Sequence, residues 1–225
     1  LLPIYFSFQL LTSRTIKNHF MKTVAIIPAR LHSTRFPKKI LYLIDEKPMV
    51  VHVYENAKKS EIIDDVFVAV DDDETIKELK KWKVKTIMTG VDHVSGTDRI
   101  YEASKTINAD IIVNVQADEP FIDHNLIDLI VKEFDDESIE IVTAAGKSLN
   151  AKQLNDYNTV KVMLDSDRFA TTFRRDPIEI EAGGYYHHSG IYAYRKDILE
   201  KFTSLGQSIN EKEFKLEQFR ALDNG

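Results

Sequence analysis

Apolar residues recur along this chain in two rhythms. Short apolar runs rich in β-branched residues occur at 24–27, 65–70, 84–88, 109–115 and 139–144, the pattern of strands buried on both faces of a sheet. Between them, 48–59, 75–83 and 125–134 carry apolar positions at helical spacing. These are Met49, Val50, Val53 and Ala57, then Ile76 and Leu79, then Leu126, Ile127, Ile130, Val131 and Phe134. Strand alternating with helix predicts a three-layer α/β/α fold around a mostly parallel sheet, with a ligand site at the strands' carboxyl ends. Pro28 cannot donate to a ladder, so the first strand is expected to stop there. Further on, 158–165 and 169–173 read as a hairpin and 185–195 as a strand. On that strand the neighbours His187 and His188 point to opposite faces and do not share an ion.

Composition narrows the function classes. The chain has 225 residues, room for one sizeable core, and no repeat or linker divides it. A net charge of −6 argues against nonspecific nucleic-acid binding, which needs a broad basic surface. There is no cysteine, so disulfides, thiolate nucleophiles and Cys-based zinc sites are excluded, in agreement with a reducing cytoplasm. Any metal must be held by oxygen or His ligands, and with phosphate substrates that metal is Mg²⁺. Residues 1–20 begin apolar and become basic, the reverse of a secretory signal, and the apolar run is too short to span a bilayer. Met21 reads as the natural start and residues 1–20 as an extension without a role in the fold, in preference to a peripheral membrane anchor.

Three loops concentrate chemistry. After the first strand, Pro28-Ala-Arg30-Leu-His-Ser-Thr-Arg35-Phe-Pro-Lys-Lys39 is cationic, hydroxyl-bearing and free of acids, suited to phosphates. Ser95-Gly96-Thr97-Asp98-Arg99 offers a flexible backbone, two hydroxyls for a base edge and a guanidinium, although Ser95 alone could be only a helix cap. At the end of the fourth strand, Gln116-Ala-Asp118-Glu119-Pro120 presents a carboxylate able to hold a Mg²⁺ that bridges phosphates. Asp71 to Glu74, by contrast, precede a Lys-rich helix and read as its cap and dipole complement rather than a metal cluster. His52, inside the first helix, reads as a packing residue.

The order of strand, Pro-Ala-Arg, Ser-Thr-Arg-Phe-Pro-x-Lys and Lys47-Pro-Met, with the later motifs, resembles the sugar-acid cytidylyltransferases, most closely the 3-deoxy-manno-octulosonate (Kdo) branch. The resemblance spans residues 21–225, read as a single domain. It implies a Rossmann-like fold of the nucleotide-diphospho-sugar transferase type and a homodimer in the cytoplasm. The implied reaction is transfer of CMP from CTP to Kdo, releasing pyrophosphate, for lipopolysaccharide biosynthesis. Pro28, Ala29, Arg30, Arg35, Lys39, Ser95, Gly96, Thr97 and Gln116 are the implied nucleotide contacts. Arg30, Lys39 and Asp118 are the catalytic set, Asp118 holding Mg²⁺. Arg99, Arg175, His188, Tyr192, Glu217 and Gln218 are the implied sugar-acid contacts, the last two on a Leu-Glu-Gln-x-Arg helix.

The chain departs from the pattern at four places. Lys38 and Ala117 stand where the family has Gly, leaving the phosphate register at Lys38 or Lys39 with Lys39 the aligned choice, and Arg174 replaces Ser beside Arg175. After Leu222-Asp-Asn-Gly225 no segment follows that would supply the family's second metal carboxylate, so the domain reads as C-terminally incomplete. A cytidylyltransferase for a modified Kdo or another sugar acid is the nearest rival reading. A nucleotide- or sugar-binding homologue with impaired catalysis is the rival from another class. Neither Gly-x-Gly-x-x-Gly nor a P-loop pattern occurs.

Overall fold

The structure is a computed structural model describing residues 2–6, 21–31, 38–146, 149–178 and 184–224. In chain order the elements begin with β1 Leu2–Phe6, β2 Thr23–Ala29, β3 Leu43–Ile44, β4 Lys47–Pro48, α1 Met49–Ala57, β5 Asp65–Val70, α2 Asp73–Lys80 and β6 Thr86–Met88. Next come α3 Gly96–Ser104, β7 Ile111–Asn114, α4 His124–Lys132, β8 Ile141–Ala145 and α5 Ala151–Asn155. The chain continues through β9 Lys161–Leu164, β10 Ala170–Arg174, β11 Tyr185–Arg195, α6 Lys196–Ser204, α7 Ile209–Phe214 and α8 Gln218–Leu222.

The main sheet runs β1-β8-β11-β7-β2-β5-β6. Its site-bearing half is parallel, with β2 between β5 and β7 and β6 outside β5. The other half is antiparallel, organised by the long β11, which pairs with β7, β8 and β9. Strand alternation feeds two cores. Along β2, Ala25, Ile27 and Ala29 pack in one cluster with α1 and α4, whereas Val24 and Ile26 pack in the other with α3 and α6. Helices therefore cover both faces, as three layers require. Each fully buried Val, Leu or Ile contributes roughly 1.5–3 kcal/mol, and their density along β2 explains why this strand sits mid-sheet.

Two expectations are corrected. The first strand runs through Pro28 to Ala29, paired with Ala69 and Val70 of β5. The Ile26 carbonyl accepts from Val115 on the β7 side, and Pro28, two residues on, faces that same side beyond the end of β7, so its missing N–H leaves no ladder bond unmade. Second, residues 2–6, expected outside the fold, form the edge strand β1, antiparallel to β8 with Leu2 opposite Ala145 and Phe6 opposite Ile141. Ile4, Tyr5 and Phe6 are buried. The Tyr5 hydroxyl donates to Glu133 at 2.5 Å, and Phe6 stacks on Phe173 at 5.8 Å. Among the described residues no helix is long and apolar enough to cross a membrane.

Helix ends follow local chemistry. Asp72 caps α2 by accepting from Thr75 N at 2.7 Å, with acids in its first turn and lysines in its last. Ser95 and Asp98 form a reciprocal capping box on α3. The expected helix around 214–222 is broken in two: Lys215 takes a left-handed conformation, so α7 ends before it and α8 starts after Glu217.

Candidate active site

At the carboxyl ends of β2 and β7 lies a cleft of about 550 Å³, lined by Pro28, Arg30, Lys39, Ser95, Gly96 and Gln116, with Ile40, His93, Val94, Arg99, Ala117 and Asp118 completing its walls. Three segments build it. The β2 exit supplies Pro28 and exposed Arg30, and a hydrogen bond from Lys38 N to Leu31 O (3.1 Å) ties together the two sides of residues 32–37. Arg35, Ser33 and Thr34 lie outside the described residues. Lys38 is left-handed and its ammonium meets Glu74 at 2.5 Å outside the cleft, so Lys39, opening a 3-10 turn, is the lysine that faces in.

The second segment is the start of α3. A Cβ on Gly96 would stand 3.2 Å from Pro28 Cγ, so glycine is what lets this helix approach β2 so closely. Ser95 both caps the helix, its hydroxyl accepting from Asp98 N at 3.1 Å, and lines the cleft. The third segment is the turn after β7. Gln116 donates to Gly190 O at 3.3 Å, and Ala117 has none of the left-handed backbone found elsewhere in the chain, so its methyl is accommodated without strain. Asp118 receives Lys39 Nζ at 2.6 Å, both side chains about half exposed.

Mg²⁺ takes one or two protein carboxylates and completes its octahedron with water and phosphate oxygens. A single carboxylate, Asp118, in a polar cleft lined by cations fits that donor set. Among the described residues no group of three or more His, Asp or Glu could hold an ion unaided.

Several sequence-selected residues lie elsewhere or, like Arg99 in the cleft wall, direct their polar groups away from the cleft. Arg99, expected to meet a sugar carboxylate, is turned inward: it donates to Asp71 at 2.9 Å, Thr89 Oγ1 at 2.7 Å and Gly90 O at 3.1 Å. Thr97, expected at the nucleotide, is buried and donates to Glu217 at 2.7 Å. Behind the cleft these contacts open a polar seam. There Gln218 donates to the Tyr192 hydroxyl at 2.5 Å, and the His188 ring lies 5.5 Å from that of Tyr192. His188 is buried, bonded through Nε2 to Thr143 at 3.0 Å, and burial, with His187 and Arg175 nearby, pulls its pKa down to about 3. It is neutral at pH 7. Burial raises the Glu217 carboxyl, against the opposing pull of Thr97, Ser95 and Arg220. The hollow between Tyr192, Glu217 and Gln218 is about 10 Å³, room for roughly one water. Among the described residues, three buried oxygens of this region, Asn114 Oδ1, Glu217 Oε1 and Gln218 Oε1, accept no hydrogen bond, although Arg220 stands 3.6 Å from Glu217 Oε1. Arg175 is anchored through its backbone carbonyl, which accepts from the buried Lys161 at 2.6 Å.

The sequence reading missed Asp71, absorbed there into an acidic capping run, and the hydrogen-bonded pair His93 and Glu102 at the cleft wall. For Asp71 a signal existed: it directly follows a parallel strand, where ligand sites gather.

A cytidylyltransferase family profile matches residues 24–225. A 3-deoxy-manno-octulosonate cytidylyltransferase of Chloroherpeton thalassium is 40% identical, covering 91% of this chain and 87% of that one. The chain belongs to the 3-deoxy-manno-octulosonate cytidylyltransferase family. A second family member, from Pelobacter propionicus, is 39% identical over the same shares of the two chains. Among solved structures, a CMP:2-keto-3-deoxy-manno-octonic acid synthetase complexed with CTP superposes with a TM-score of 0.85 at 37% identity, covering 90% of this chain and 86% of that one. The β1 strand lies outside the cytidylyltransferase match, whereas every segment that lines the cleft lies within it.

Proposed function

We propose that this chain activates Kdo: CTP + Kdo → CMP-Kdo + pyrophosphate. The observation that carries this reading is the cleft itself, where Arg30 and Lys39 face the lone carboxylate of Asp118 at the ends of parallel strands. A triphosphate entering there meets both cations and takes Lys39 away from Asp118, freeing the carboxylate. In the cleft wall, the Ser95 and Gln116 side chains offer a base polar partners. In the reaction the sugar's anomeric oxygen forms a bond to the α-phosphorus as the bond to pyrophosphate breaks, and the hydroxyl proton is released. Arg30 and Lys39 hold the phosphates in line and offset the charge that gathers on the leaving group. Asp118 would hold Mg²⁺, which when bound neutralises phosphate charge and polarises the phosphoryl oxygens.

Kdo is polyhydroxylated, and the buried acceptors on Gln218 and Asn114, which among the described residues accept no hydrogen bond, suit its hydroxyl donors. Arg175, which among the described residues pairs with no carboxylate, suits its carboxylate group. Because the hollow there is small, sugar binding requires the seam to open. The sequence resemblance also carries a homodimer in the cytoplasm whose product enters lipopolysaccharide synthesis, and the lack of cysteine agrees with that compartment. Pyrophosphate release tests the reading: the purified chain with Mg²⁺ and Kdo is expected to turn over CTP and not UTP or ATP. Absence of release, or equal release from all three nucleotides, rejects it.

A further inference from the structure

The contacts beneath the cleft floor converge on one carboxylate. Asp71 is the first residue after β5, and its side chain is 9% exposed. Its Oδ1 accepts from Leu31 N, at the β2 exit, at 3.0 Å. Its Oδ2 accepts from Arg99 of α3 at 2.9 Å, and Arg99 is itself only 3% exposed. The other terminal nitrogen of Arg99 grips Thr89 and Gly90 beyond β6, while the Thr89 hydroxyl donates back to Val70 O at 2.9 Å. The ends of β2, β5 and β6 and the first turn of α3 are thus joined through the Asp71 carboxylate. Leu31 adjoins Arg30, and Arg99 is one helical turn from Ser95 and Gly96, so the two sides of the cleft share this anchor.

We propose that Asp71 is a positioning residue of the nucleotide site, fixing the separation between the Arg30 segment and the Ser95-Gly96 start of α3. The inference rests on the cytidylyltransferase reading and adds to it a residue that touches no substrate. The geometry favours this role over simple neutralisation of Arg99. The carboxylate spends one oxygen on a backbone N–H of the cleft loop and the other on the helix, with little slack in either. Lengthening the side chain by one methylene keeps the charge but moves the loop relative to the helix, and a displacement of about 1 Å at a site of this kind costs on the order of 10²-fold in rate.

The test compares the unaltered chain with Asp71→Glu and Asp71→Asn by CTP titration calorimetry and thermal unfolding. Asp71→Glu is expected to unfold within a few degrees of the unaltered chain yet bind CTP about tenfold or more weakly. Asp71→Asn keeps the shape and an acceptor for Leu31 N but loses the charge-assisted bond to Arg99, and it too is expected to lose CTP affinity. Wild-type CTP affinity, within about twofold, in a folded Asp71→Glu variant reduces Asp71 to a counter-charge and overturns the proposal. Should Asp71→Glu fail to fold, undiminished affinity in Asp71→Asn overturns it equally. No CTP binding by the unaltered chain removes the cytidylyltransferase reading and this proposal together, so the two failures are told apart.

Discussion

Replacing Arg220 by Met strands the Glu211 carboxylate inside the protein. Arg220 and Glu211 are 4% and 5% exposed and meet in a bidentate pair, Nε to Oε2 at 2.9 Å and Nη2 to Oε1 at 2.7 Å. The guanidinium also lies 5.0 Å over the Phe202 ring and 3.6 Å from Glu217. Met preserves the packing on Phe202 and deletes only the charge and donors. Removing one partner of a buried pair costs about 3–5 kcal/mol. For a domain of this size each kcal/mol lowers Tm by about 2–4 °C, so the variant is expected to melt roughly 6–20 °C lower by calorimetry. The double replacement Glu211→Leu with Arg220→Met removes both charges and is expected to recover most of that loss. pH dependence supplies an independent check. Burial alone raises the Glu211 carboxyl, but the hydrogen bonds and charge of Arg220, with Gln207 and Ser208 N, outweigh it and hold the pKa below the ordinary 4.5. A depressed folded-state value means stability fully present above pH 4.5 and lost as pH falls through the lower folded value. The single variant should therefore lack this acid-side loss. A Tm within about 3 °C of the parent, a loss of about 1 kcal/mol, would show that water reaches Glu211, and the burial argument would be refuted.

Three further outcomes concern the cleft. Lys39→Ala removes a charge-assisted phosphate contact worth about 1.5–3 kcal/mol, so kcat/KM for CTP should fall roughly 10- to 100-fold; unchanged kinetics would take Lys39 out of the phosphate site. Asp118→Ala should abolish Mg²⁺-dependent turnover while leaving Tm nearly unchanged, because an exposed pair with Lys39 adds little stability; full activity would sink the metal assignment. Gly96→Ala places a methyl 3.2 Å from Pro28 Cγ, an overpacking of about 1–3 kcal/mol, and should lower Tm and weaken CTP binding. If neither moves, the Pro28 to Gly96 approach is slack.

The strands and layers were legible because burial on both faces leaves an unbroken apolar run, as in residues 65–70, which form β5 with the expected bounds. Helix ends were less so. The Leu-Glu-Gln-x-Arg motif, read as one helix, gave no sign that Lys215 turns left-handed and divides the segment. Side-chain destinations were the least legible. Ser95, Thr97 and Arg99 sit in one motif, yet Ser95 lines the cleft while Thr97 and Arg99 turn to Glu217 and Asp71. Helical twist sends Thr97 to a different face from Ser95, whereas Arg99, one turn on, stays on the Ser95 side and differs only in where its guanidinium bonds, and the partners that receive them come from distant parts of the chain. Asp71 was hidden by its neighbours: four acids in a row look like one capping cluster, although only Asp72 caps.

The edge strand β1 bears on the order in which the molecule assembles. Its partner β8 lies more than half of these 225 residues further on, so β1 is made well before the strand that it pairs with. The parallel half, β2 with β5 and β6, closes over much shorter intervals and can form while β1 waits. During that wait Leu-Pro-Ile-Tyr-Phe is an apolar segment with nothing to cover it, and Pro3, which removes one backbone donor, makes it a poorer template for another chain. The cleft therefore gains its scaffold before the sheet gains its border, and β1 fastens a domain whose nucleotide half is already built.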